Sequence, residues 1–167
     1  YMYLGRGTGA ADPGGSFTAT PADVAKIIEI MPGGGSAGSI AGDYTPYTVQ
    51  PLQNGKIRNV LLSQTIALAL NLYMSADLSE SVGNFSLEGS GGKYLVTAPR
   101  ADGSTCEEPV QADCLLQQDA IQSSSIVIPA NVIAALPANP KVWDLFQLAK
   151  NALGGLLPAG VSHSNIA

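Results

Sequence analysis

The stretch KIRNVLLSQTIALALNLYMSA, residues 56–76, decides the fold of this chain. Its residues favour helix and are apolar on almost every side, which is typical of a helix at the centre of a domain. Polar residues interrupt the stretch, namely Arg58, Asn59, Ser63, Gln64 and Asn71. A membrane span needs ~20 mostly apolar residues. We therefore predict a buried central helix, other elements packed around it, and no membrane span.

Further helices are predicted on both sides of the central one. Thr20-Pro21-Ala22-Asp23 supplies an N-cap, a first-turn proline and an acid near the positive end of the helix dipole. The apolar residues after it predict one inward stripe, formed by Val24, Ile27, Ile28 and Met31. A short helical turn is expected from Pro129 to Leu136. A last helix follows Asn139-Pro140 and stops at Gly154-Gly155, with inward residues Val142, Trp143, Leu145, Phe146, Leu148 and Ala149.

Short strands and turns are predicted between the central and the last helices. Phe85–Leu87 and Tyr94–Val96 flank a glycine-rich turn, and the β-branched run Ser125–Ile128 is expected to pair with them. Another strand is predicted around Tyr47–Val49. The fold class is therefore α+β, with a buried central helix, two or three packing helices and a small antiparallel sheet. We predict one domain over residues 1–167, with irregular, glycine-rich arms at 1–19 and 154–167.

Composition excludes several classes of partner. The 167 residues are 46% hydrophobic and only 13% charged, and the formal net charge is −5. Nucleic acids and anionic membranes are bound through basic patches. The acidic balance therefore argues against both as partners, and no cofactor is expected.

The two cysteines, Cys106 and Cys114, lie in a polar loop. Their spacing matches neither a zinc site nor a C-x-x-C redox motif, so they form either a short disulfide in an oxidising compartment or two separate thiols. Asn84-Phe85-Ser86 is a candidate N-glycosylation site. We predict no metal site, because the acids of this region lack calcium-loop spacing. The alternative calcium ligands are Asp102, Glu107 and Glu108.

The sequence carries no recognisable catalytic arrangement. The single histidine, His163, lies in a flexible Gly/Ser-rich stretch near the end of the given sequence, where an imidazole is not held beside a nucleophile. Gly5-Arg6-Gly7-Thr8-Gly9-Ala10 matches a dinucleotide-binding pattern, but the following Ala11-Asp12-Pro13-Gly14-Gly15 cannot continue as the required helix. We therefore predict that the chain is not an enzyme. Tyr44 and Tyr47 share a loop with two threonines and are candidates for stacking on sugars.

Several blocks resemble one family of domains. They are Ile30-Met31-Pro32-Gly33-Gly34-Gly35, Pro51–Lys56, Asn59–Leu68 with its continuation to Leu72, Asp144–Gly155 in part, and Tyr3-Leu4-Gly5. The family occurs near the C-terminus of large secreted, surface-anchored multi-domain proteins of environmental bacteria. Its members often carry a cysteine in the first helix, where this chain has Ala25-Lys26, and usually continue into one more helix.

The resemblance implies a structural or adhesive role and no catalytic residues. We therefore expect an extracellular module of a bacterial surface protein, in one version the repeating subunit of a surface filament. The arms are expected to pack on neighbouring domains or copies, through Tyr1, Tyr3, Phe17, Val161 and Ile166. The alternative is a glycan-binding module that uses the Tyr44–Tyr47 loop.

Overall fold

The computed structural model describes residues 1–6, 14–74, 94–97 and 124–167. It divides the chain into two compact units. Unit 1 comprises Tyr1–Leu87 and Pro129–Ala167, and unit 2 comprises Glu88–Ile128. The single domain over residues 1–167 stays a prediction.

The described elements confirm the α+β class. Unit 1 contains β1 (Met2–Gly5), β2 (Ser16–Ala19), a 3₁₀ turn (Pro21–Asp23), α1 (Val24–Ile30), β3 (Leu52–Gln53), β4 (Lys56–Ile57), α2 (Val60–Met74), α3 (Ala130–Ala135), α4 (Val142–Leu153) and α5 (His163–Ile166). Unit 2 contains β5 (Tyr94–Thr97) and β6 (Ser124–Val127). The described strands form three antiparallel pairs, β1–β2, β3–β4 and β5–β6. The predicted pairing of the β-branched run with Tyr94–Val96 is confirmed, and Phe85–Leu87 lies outside the described residues.

The central helix is confirmed as α2. Its core residues are Leu61, Leu62, Ile66, Ala69 and Leu72, and the helix packs against α4. It begins at Val60 because the preceding residues form the β3–β4 hairpin, whose turn residues Asn54 and Gly55 have φ of 52° and 73°. The side chain of Asn59 then accepts a hydrogen bond from the Leu62 amide, 3.2 Å away, at the start of the helix.

Within the described N-terminal residues 1–6 and 14–19, β1 and β2 form a paired sheet rather than an irregular arm. In the antiparallel pair β1–β2, Leu4 lies opposite Phe17, and both side chains are fully buried. A third segment, at Tyr44, runs parallel to β2. The Tyr44 amide donates to the Ser16 carbonyl at 2.7 Å, and the Thr18 amide donates to the Tyr44 carbonyl at 2.9 Å. The strand predicted at Tyr47–Val49 is wrong, because the Thr48 and Val49 amides turn back to the Thr45 carbonyl.

The C-terminal residues also pack on unit 1. The Asn131 side chain of α3 donates to the Gly160 carbonyl at 2.7 Å and to Oδ1 of Asn165 at 2.9 Å. The His163 Nε2 lies 3.1 Å from the Ala152 carbonyl oxygen, near the end of α4. Residues 154–167 are therefore held by α3 and α4 rather than extending as an arm.

Four backbone segments meet at a cluster of glycines, which we call the glycine crossing (Gly5, Gly14, Gly15, Gly42 and Gly154). The Gly14 amide donates to the Gly154 carbonyl at 2.9 Å, and the Gly15 amide donates to the Ile40 carbonyl at 2.6 Å. A Cβ on Gly14 would lie 2.5 Å from the carbonyl carbon of Gly154, and a Cβ on Gly15 would overlap the backbone of Gly42. The crossing thus joins β1, β2, the loop at 40–42 and the end of α4.

We predict that Gly15→Ala destabilises the protein by on the order of 3 kcal/mol, because the new methyl group has only backbone to displace. Gly38→Ala is the matched control, since a Cβ there meets nothing within 4 Å. Its free energy of unfolding should change by no more than about 1 kcal/mol. Urea unfolding followed by circular dichroism measures both, and equal stabilities of the two variants would contradict the prediction.

Candidate functional site

An exposed apolar face on α1 is the first candidate site. The sequence predicts Val24, Ile27, Ile28 and Met31 as one inward stripe. Ile27 is buried as predicted, together with Ile30, whereas Val24 and Ile28 are exposed. Val24 is 45% exposed and Ile28 is 68% exposed. They lie one helical turn apart and so share one side of the helix. The helix ends at Ile30, so Met31 lies in extended backbone and is not part of a helical stripe.

An apolar pocket of about 190 Å³ lies beside this face. Its walls come from β1, β2, the 3₁₀ turn, α1 and α2, and its lining residues are Tyr1, Met2, Ala19, Thr20, Pro21, Val24, Ile27 and Leu70. Val24 is therefore both a wall of the pocket and a neighbour of the protruding Ile28. We call Val24, Ile28 and this pocket the α1 surface. This surface combines two exposed apolar side chains with an apolar recess into which an apolar group could pack.

The two ends of α1 carry charges of opposite sign. At the start, the Asp23 carboxylate accepts hydrogen bonds from the Thr20 amide at 2.7 Å and from its hydroxyl at 2.8 Å. At the far end, the Lys56 ammonium donates to the carbonyls of Glu29 at 2.8 Å and Met31 at 2.7 Å. Both placements suit the helix dipole. Between them, Lys26 and Glu29 neutralise each other in an ion pair of 2.7 Å.

The Tyr44–Tyr47 loop presents one exposed aromatic side chain. Tyr47 is 66% exposed, whereas Tyr44 is half-buried and its ring lies against Gly42. The turn that carries Tyr47 is fixed by Thr48, whose hydroxyl accepts from the Thr45 amide at 2.9 Å. The structure thus brings both tyrosines into one loop, but exposes them unequally.

Asp43 links β1 to β2 beside the same loop. Its carboxylate accepts hydrogen bonds from the Ser16 hydroxyl at 2.8 Å and from the Ser16 amide at 3.1 Å, and it pairs with the Arg6 guanidinium at 2.8 Å. The hydrogen bond from the Ser16 hydroxyl is the largest cause that holds the pKa of the Asp43 carboxyl below its ordinary value of 3.8. Desolvation opposes it, and the charge of Arg6 then lowers the pKa further.

The residues predicted for assembly are distributed between surface and core. Tyr1 is exposed, and Ile166 is half-buried. Tyr3 is half-buried and lies under the Lys150 ammonium, 5.7 Å from its ring centroid. Phe17 and Val161 are buried within unit 1, so these two side chains pack inside the chain rather than reaching a neighbour. The sequence missed this because β1–β2 pairing joins residues that no local pattern connects.

Trp143 is another difference from the sequence prediction. It is 44% exposed on α4, rather than inward, and its ring contacts Phe146 at 5.4 Å between centroids. The buried side of α4 contains Val142, Phe146, Leu148 and Ala149, as predicted, together with Ala152 and Leu153. Since Trp143 immediately follows Val142 along the helix, its position 100° around the axis turns it toward solvent.

Several predicted residues lie outside the described part of the chain. They are the cysteines Cys106 and Cys114, the glycosylation candidate Asn84, and the calcium alternatives Asp102, Glu107 and Glu108. Among residues 1–6, 14–74, 94–97 and 124–167, no three His, Cys, Asp or Glu side chains gather into a possible metal site. Within those same ranges, no helix has the length and apolar character needed to cross a bilayer.

Comparisons with known proteins add nothing to this geometry. The chain matches no family model, no curated protein and no solved structure.

The lowered pKa of Asp43 predicts that the stability of the protein depends on pH. Because its pKa is lowered in the folded state, its contribution to stability is complete above 3.8 and is lost as the pH falls through the folded pKa. We expect Asp43→Asn to reduce stability at neutral pH and to flatten the loss of stability below 3.8. Urea unfolding at several pH values tests this.

The variants Ser16→Ala and Arg6→Gln test separately the hydroxyl and the guanidinium that lower the pKa of Asp43. The carboxyl pKa of Asp43, followed by carbon-detected NMR, should rise more in Ser16→Ala than in Arg6→Gln, since the hydroxyl is the larger cause. A carboxyl pKa that is unchanged in both variants would contradict this account.

Proposed function

We propose that the chain is an extracellular structural or adhesive module of a bacterial surface protein, which binds neighbouring domains or further copies of itself. In one form it is the repeating subunit of a surface filament. The observation that carries this proposal is the α1 surface, where Val24 and Ile28 are exposed beside an apolar pocket. An apolar protein surface is the kind of partner that such a face fits.

The use of polar side chains supports a structural role. The buried Ser63 hydroxyl accepts a hydrogen bond from the Gly33 amide at 2.7 Å, and the buried Asn59 amide donates to the Gly38 carbonyl at 2.9 Å. Buried Thr65 donates to the Leu61 carbonyl at 2.7 Å. Each of these groups holds the backbone in place.

The resemblance to domains of secreted, surface-anchored bacterial proteins supports an extracellular location. Two of its blocks, Ile30–Gly35 and Asn59–Leu68, are separate in sequence but meet where Gly33 contacts Ser63. A Cβ on Gly33 would lie 2.8 Å from the Ser63 hydroxyl oxygen and 2.6 Å from the Ile57 carbonyl oxygen. The two blocks therefore pack against each other within unit 1.

Labelling of the cell surface tests the proposed extracellular location. Antibodies raised against the purified chain should label intact cells of the producing bacterium, or material they release, when examined by immunogold electron microscopy. Antibodies against a known cytoplasmic protein of the same cells are the control. Label that appears only after the cells are permeabilised would contradict an extracellular role.

Glycan binding is the alternative function, and the exposure of Tyr47 in a hydrogen-bonded turn is the observation that favours it. In that case the purified chain binds a defined set of sugars on a glycan array, and Tyr47→Ala reduces the signal at least about tenfold, since stacking on an aromatic ring contributes much of the affinity in such sites. Trp143→Ala is the control for loss of an exposed aromatic side chain elsewhere. Binding that survives Tyr47→Ala would contradict this use of the loop.

A further inference from the structure

We infer that the α1 surface binds a second copy of this chain across a two-fold axis, with the two α1 helices antiparallel. The inference rests on the proposed function and deepens its association with further copies, because it names the surface through which two modules pair. A two-fold contact closes a dimer, so this surface alone does not build a filament. We identify the partner as a second copy from the shape and the charges of the α1 surface. Both favour the same arrangement of the two copies.

Shape makes the α1 surface complementary to itself. Ile28 protrudes from it, and the apolar pocket of about 190 Å³ that Val24 helps to line recedes beside it. A two-fold interface brings the same surface of both copies together, so that a protrusion on one copy meets a recess on the other. In the antiparallel arrangement, Ile28 of each copy lies beside Val24 and the pocket of the other.

Charge selects the antiparallel direction. The start of α1 has the Asp23 carboxylate, and its far end has the Lys56 ammonium, while Lys26 and Glu29 compensate each other between them. An antiparallel pair places the acidic end of each helix near the basic end of the other. A parallel pair would place like charges together at both ends.

Sedimentation velocity of the purified chain over micromolar to millimolar concentrations tests this inference. The wild type should shift from monomer to a species of twice the 17.1 kDa chain mass as concentration rises. Ile28→Glu should weaken the association about a hundredfold or more, because each dimer loses two buried isoleucines and gains two unpaired carboxylates. Val24→Gln should weaken it in the same direction with no added charge.

Tyr47→Glu is the matched control, since Tyr47 is as exposed as Ile28 and the change adds the same charge. It should associate as the wild type does. A wild type that remains monomeric throughout, an Ile28→Glu variant that associates normally, or equal loss in Tyr47→Glu would each overturn the inference. Urea unfolding of each variant shows whether it is folded as the wild type is.

Isotope-filtered NMR of a mixed labelled and unlabelled sample tests the direction. Antiparallel helices predict contacts between the methyl groups of Val24 in one copy and Ile28 in the other. Contacts of each residue only with itself would overturn the antiparallel arrangement. A monomeric chain that still labels the cell surface would overturn this inference alone, whereas absence from the surface would contradict the proposed function irrespective of oligomeric state.

Discussion

The close approach of backbone at the glycine crossing is the constraint on which the rest of unit 1 depends. There the Gly15 amide donates to the Ile40 carbonyl at 2.6 Å, while the Ile40 amide donates to the Leu153 carbonyl at 2.8 Å. The Gly14 amide is bound to Gly154 at the end of α4. Since side chains at these glycines would meet backbone atoms, only glycine permits the approach. Residues from the beginning, middle and end of the chain thereby become parts of one core.

A second contact between distant segments then fixes the position of α1. The loop that follows α1 is bound to the first turns of α2, through the Gly33 amide and the Ser63 hydroxyl, and Lys56 binds the last carbonyls of α1. These hydrogen bonds hold the helix so that Ile27 and Ile30 enter the core. The same hydrogen bonds leave the Ile28 side chain exposed to solvent. The exposed apolar face is thus a consequence of how the helix is held at both ends.

Local patterns were sufficient to predict α1 to α4, but they predicted neither α5 (His163–Ile166) nor the site. The run after Asn59 has helical residues of apolar character, and α4 has a clear inward side, so both were found from sequence alone. In α1, however, five of the seven residues are aliphatic, and such a short helix has no polar side that indicates which face is buried. The β1–β2 pair was missed because its strands are separated by glycine-rich sequence, in which Gly14 and Gly15 bind partners at least 25 residues away. Only the three-dimensional arrangement shows that these glycines are part of the core.

Native-state hydrogen exchange measured by NMR tests the central role of the crossing most directly. If the crossing is part of the global core, the amides of Gly15 and Ile40 exchange only when the whole of unit 1 unfolds, with the same free energy of opening as the amides of Ile66 and Ala69 in α2. Exchange at the crossing that is orders of magnitude faster than in α2 would contradict the account, because the segments would then separate while the helical core remained folded.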